Sequence, residues 1–117
     1  MKRNLSILLA ISLLVASVLA CGTPQSYSVE YKVSGSANSA SITYSNAQGG
    51  TEQQKINLPW SKSFTVTSGS FLYISAQNEG DSGSVTCQIL VNGSVYKTST
   101  SSGAYVIADC SGSAGGS

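Results

Sequence analysis

From Tyr27 onward apolar and polar positions alternate. Tyr27, Val29, Tyr31 and Val33 are separated by Ser28, Glu30 and Lys32, and Ala40, Ile42 and Tyr44 by Ser41 and Thr43. A period of two sends successive side chains to opposite faces, so each run reads as a strand with one face buried. Gly35 to Asn38 parts the two, and Ala47-Gln48-Gly49-Gly50 is turn chemistry after the second. Thr51–Leu58 is mostly polar and reads as an edge strand. Pro59 ends it, because proline has no N–H to give to a ladder. Lys62–Thr67, with Phe64 and Val66 on one side, and Ser70–Gln77, with Leu72, Ile74 and Ala76 on one side, predict two more strands.

The stretch from Gly83 to Cys110 predicts a hairpin. Asn92-Gly93 lies between two alternating runs, and both residue types tolerate the positive φ of a type I′ turn. Val85, Cys87, Ile89 and Val91 share a face before the turn; Ala104, Val106, Ala108 and Cys110 share one in the closing run. Cys87 and Cys110 thus fall on apolar faces, as a bridge between packed strands requires. Seven or eight short strands with turn signals every 8–12 residues or so indicate an all-β sandwich or barrel. Residues 111–117, Ser-Gly-Ser-Ala-Gly-Gly-Ser, read as a flexible tail with nothing to bury.

The front of the chain follows other rules. Lys2 and Arg3 precede an apolar run from Leu5 to Leu19, the form of a secretory signal over residues 1–20. As a helix that run would rise only about 22 Å, short of the roughly 30 Å hydrocarbon core; an uncleaved anchor is the alternative. Val18-Leu19-Ala20-Cys21 resembles the lipobox of bacterial lipoproteins, in which cleavage leaves the cysteine acylated. Three cysteines then divide into one bridge and Cys21. A multiply acylated Cys21 would hold the domain on a membrane without spanning it; a plain secreted protein or a free thiol are the other readings. Residues 21–26 form a polar tether before a domain at 27–110.

Charge narrows the function. Without residues 1–20 the chain keeps four lysines against five carboxylates, a net charge of −1, and no arginine. That excludes nucleic-acid binding through a basic surface. There is no histidine, so the commonest general acid–base is missing. No Gly-x-Ser-x-Gly elbow occurs, and no cysteine is left over as a nucleophile. Glu79 and Asp81 share a Gly-rich loop, but calcium wants six or more oxygens, so they read as solvated acids rather than a metal site. The sequence predicts no enzyme, cofactor or metal.

Two features point to contacts. Trp60, the single tryptophan, is either an exposed anchor for a partner or a cap packed over one end of the fold. If Cys87 and Cys110 face the core, then Leu90, Tyr105 and Ile107 face away from it, as do Phe71 and Tyr73. This second apolar set is either a docking surface for a protein or lipophilic ligand, or is covered by a bulge, loop or edge strand.

Several patches together resemble the MmpS family, small mycobacterial membrane proteins that accompany RND-type MmpL exporters. They are Tyr31-Lys32-Val33-Ser34-Gly35-Ser36-Ala37, Ala40-Ser41-Ile42-Thr43-Tyr44, Leu58-Pro59-Trp60, Ser84-Val85-Thr86-Cys87-Gln88-Ile89, Val91-Asn92-Gly93 and Ala108-Asp109-Cys110. They run in family order from about Tyr27 to Cys110. The resemblance implies an immunoglobulin-like β-sandwich of seven or eight antiparallel strands outside the cytoplasmic membrane, with Cys87 bridged to Cys110. It also implies a role assisting an RND/MmpL-type transporter in the export of lipid or siderophore-like cargo. The family typically begins with a transmembrane helix, where this chain has the lipobox-like Cys21. A stand-alone envelope lipoprotein binding a glycan, lipid or partner protein, and an adhesion module, are the alternatives.

Overall fold

A computed structural model describes residues 25–116. The expected signal at 1–20, Cys21 and most of the tether lie outside the described residues. Eight strands follow in order: β1 (Ser26–Ser34), β2 (Ser39–Ser45), β3 (Thr51–Asn57), β4 (Trp60–Thr67), β5 (Phe71–Asn78), β6 (Ser84–Val91), β7 (Ser94–Ser102) and β8 (Ile107–Ser113). They form two four-stranded antiparallel sheets, ordered β4-β1-β6-β7 and β3-β2-β5-β8. The expected immunoglobulin-like sandwich is thus formed, with its own strand order.

The alternation read from the sequence fixes which face is buried. Val29, Tyr31 and Val33 of β1 and Val85, Cys87 and Ile89 of β6 meet Ala40, Ile42 and Tyr44 of β2 and Leu72, Ile74 and Ala76 of β5 in one core. Cys87 and Cys110 are bridged with their Cα atoms 6.2 Å apart. Since Cys87 is on β6 and Cys110 on β8, the bond ties one sheet to the other. The β3 edge is as expected: it pairs with β2 alone.

Two expectations are corrected. The closing run does not start at Ala104. The hairpin partner of β6 is β7, whose Ser99 and Ser101 carry no apolar signal, and Gly103–Val106 is a turn that passes the chain to the other sheet. There Ala104 is exposed, while Ala108 and Cys110 remain buried. The tail does not begin at Ser111 either. β8 continues to Ser113 because Tyr73 and Phe71 offer ladder partners to Ser111 and Ser113, and Ala114 beyond it is buried. Serine and glycine signal no strand by themselves; here backbone pairing alone extends it.

The Asn92-Gly93 turn is as predicted, with φ of 50° and 83°. Just beyond it the β6–β7 register shifts between Ile89 and Leu90, leaving Tyr96 as the extra residue. That bulge turns the Tyr96 ring across to β8, where it lies where a side chain at position 112 would be; Gly112 leaves the room. The Tyr96 hydroxyl accepts the N–H of Ser113 at 3.1 Å. One lateral side of the sandwich is closed this way.

Candidate functional site

Strand directions give the sandwich two poles. The first collects Gln25, the β2–β3 turn, the β4–β5 turn at Ser68–Ser70, the Asn92-Gly93 turn and the C-terminal Ala114–Gly116. The second collects Gly35–Asn38, Leu58-Pro59, Glu79–Gly83 and Gly103–Val106. They stand about 30 Å apart, the length of a nine-residue strand.

The residues of the second apolar set divide between these poles. Phe71 and Tyr73 open β5 at the first pole, on the outer face, with rings 10° from parallel and centroids 6.1 Å apart. Phe71 is 60% exposed. Leu90 is also near the first pole, but on the outer face of the other sheet, where the shifted register sets it beside Val95. Val95, which sequence reasoning did not single out, is 55% exposed. Its position beside Leu90 arises only from the bulge.

Tyr105 and Ile107 are at the second pole and are 57% and 56% exposed. Ile107 pairs with Gln77, so six residues of β5, about 20 Å, separate it from Phe71. The outer face between them is polar: Ser41, Thr43, Gln53, Ser75 and Gln77. Tyr105 has φ 55°, a left-handed conformation that a bulky side chain avoids. Its N–H donates to Gly80 O at 3.1 Å, and the Gln77 amide donates to its carbonyl at 3.1 Å. Hydrogen bonds on both sides of the residue therefore hold the ring outward.

Trp60 opens β4 and is partly buried. Its ring centroid is 5.6 Å from that of Tyr44, and it packs against the core. Its remaining face borders a shallow cavity of about 360 Å³ with Lys32, Val33 and Gln88. The capping position describes it better than a free anchor.

The interior is neutral and satisfied. Tyr31 reaches from β1 across the core to the point where β2 and β5 part. Its hydroxyl donates to Ser45 O at 2.8 Å and accepts the N–H of Tyr73 at 3.2 Å. Its ring meets Tyr44 and Phe64 edge-on, with centroids 5.8 and 5.0 Å away. Burial raises the pKa of Tyr31, and burial followed by the hydrogen bond to Glu52 raises that of Tyr44. Buried Asn78 organises the second pole: its amide donates to Ser82 O and Gly103 O at 2.9 and 3.0 Å and accepts the N–H of Gly80 at 2.8 Å. Glu79 accepts a hydrogen bond from the Ser41 hydroxyl. Among the described residues no buried side-chain polar atom lacks a partner, and no three His, Cys, Asp or Glu side chains gather to hold a metal.

Fold and surface together define a small disulfide-braced β-sandwich with exposed apolar side chains at both ends. Residues 12–114 match the family described as Mycobacterium membrane protein, and since this is most of the chain, it belongs to that family of MmpS-type mycobacterial membrane proteins. No curated protein matches the chain. Among the described residues no helix is long and apolar enough to cross a membrane.

Proposed function

We propose that the protein is a non-enzymatic accessory of an RND/MmpL-type export system, held outside the cytoplasmic membrane by an acylated Cys21 after removal of residues 1–20. The observation that carries this reading is the family match, which covers the whole sandwich. The anchor precedes Gln25, so the Glu79–Gly83 and Gly103–Val106 pole projects outward. Tyr105 and Ile107 there form the docking surface for the transporter; a side chain held exposed at strained φ fits a contact role. The cargo class is lipid or siderophore-like.

A photo-crosslinker in place of Tyr105, activated in intact cells, tests the reading. Recovery of an RND-type transporter supports it; recovery of a small molecule alone moves the protein to the second reading, a stand-alone ligand-binding lipoprotein. Export of lipophilic compounds should fall when the protein is deleted. Mass spectrometry of the mature N-terminus distinguishes a lipid on Cys21 from an uncleaved leader.

A further inference from the structure

The first pole differs from the rest of the surface in composition. None of its turns carries a charge: Asn46–Gly50, Ser68–Ser70, Asn92-Gly93 and Ala114–Gly116 are Asn, Gln, Ala, Ser and Gly throughout. Both carboxylates found in turns, Glu79 and Asp81, are at the opposite end. The charges nearest the first pole are set back or occupied. Glu52 accepts hydrogen bonds from the Tyr44 hydroxyl and the Asn46 amide at 3.0 and 3.2 Å. Lys97 lies 4.9 Å from the centre of the Tyr96 ring, and Glu30 is four residues into β1.

Apolar side chains flank these uncharged turns on both sides. Phe71 and Tyr73 stand on the outer face of one sheet, Leu90 and Val95 on that of the other. A protein docking against one sheet would cover one pair and leave the other in water. A fluid interface surrounds the whole end and meets both. The chain also leaves the sandwich here: Gln25 is fastened by its carbonyl to the N–H of Ser68 at 2.9 Å, next to the turn that precedes Phe71. From Cys21 to Gln25 is four residues, so the pole stays within about 14 Å of the anchor point.

We infer that this pole rests in the membrane interface, with Phe71 and Tyr73 on one side and Leu90 and Val95 on the other seated among the lipid headgroups. Aromatic rings favour that zone because an apolar body and a polar tip are both accommodated there. The turns themselves carry no acid to be repelled by an anionic leaflet, and the nearest carboxylate, exposed Glu52, is one residue into β3. The inference rests on the membrane anchoring proposed above, and holds whether the anchor is a lipid on Cys21 or the apolar run before it.

The test uses the full chain from a host that exports it, reconstituted in phosphatidylglycerol–phosphatidylethanolamine vesicles containing a lipid brominated near the top of its acyl chains. Trp60, whose backbone is about 24 Å along β4 from the pole and whose ring packs against the core, is the native reference. Phe71→Trp in a Trp60→Phe background should emit to the blue and lose about half or more of its intensity to the brominated lipid, while Trp60 in the wild type is unaffected. If the Trp60→Phe change prevents folding, Phe71→Trp in the native background gives the same reading after subtraction of the wild type. A protein that floats with vesicles while the introduced indole stays red and unquenched overturns the inference and leaves the anchoring intact. Failure to float overturns both. Blue but unquenched emission from the introduced indole that shifts with protein concentration means a second copy covers the pole, and also overturns it.

Discussion

One pole of the sandwich is held by main-chain bonds and surface asparagines, the other around a single buried side chain. At the Gln25 end, Ser68, Gly69, Ala114 and Asn92 donate main-chain N–H groups to Gln25, Ala114, Ser70 and Ser28 carbonyls. The surface Asn92 and Asn46 side chains accept the N–H groups of Ser28, Gln48 and Gly50 beside them. At the other end, the buried Asn78 amide reaches two loops at once and fixes the turn at Gly80, which in turn receives the N–H of Tyr105. The contrast teaches that a loop end can present a strained, exposed ring only if something buried positions its backbone. At the first pole no loop residue is held in that way, and short turns bonded to one another and to surface asparagines are enough.

Cutting the link common to both ends should have the largest effect. Replacing Cys87 and Cys110 by alanine removes a cross-link over a separation of 23 residues, and the loop-entropy estimate is about 3 kcal/mol. Chemical denaturation should show this loss, with both poles loosening together in hydrogen exchange. Exchange that rises at one pole only would mean the ends are held independently. Next comes Asn78→Ala, which removes three hydrogen bonds from a buried side chain to part-buried loop groups; about 2 kcal/mol should be lost. Local opening should centre on Ser82–Val106, with crosslinking from position 105 reduced.

Tyr31→Phe removes two hydrogen bonds near the first pole and should cost about 1 kcal/mol. It also carries a pH signature. Tyr31 and Tyr44 hold their protons more tightly in the fold than at the ordinary value of 10.0. Their contribution is therefore complete below pH 10.0 and is lost as pH rises through the higher folded values. Thermal midpoints measured through that range should fall for the wild type and fall less for Tyr31→Phe. The smallest effects belong to the exposed rings: Phe71→Ser or Tyr105→Ser should change stability by no more than about 0.5 kcal/mol. A larger loss would make them structural and remove them from both contact surfaces.

Much of the core was legible in the sequence, because period-two alternation of β1, β2, β5 and β6 says directly which side chains meet. The disulfide was legible for the same reason. Strand β7 and the end of β8 were not, since Ser and Gly signal turns rather than strands and no apolar alternation marks these runs; only pairing with β6 and β5 fixes them. The second apolar set was visible as residues of opposite parity, but not its division between poles, which depends on strand direction and on the passage from one sheet to the other at Gly103–Val106. Val95 and Tyr96 were hidden by the bulge: a one-residue shift reverses every parity after it.

Strand β1, at whose start the chain enters the sandwich, is interior to its sheet, bonded to β4 along eight residue pairs and to β6 along six. Tension between a fixed membrane and cargo machinery grasping the outer end would run parallel to that strand. Two antiparallel ladders would then be loaded in shear, with many bonds sharing the force, where an edge attachment would peel them one at a time. A tethered domain wired this way can be tugged without unravelling from its leash.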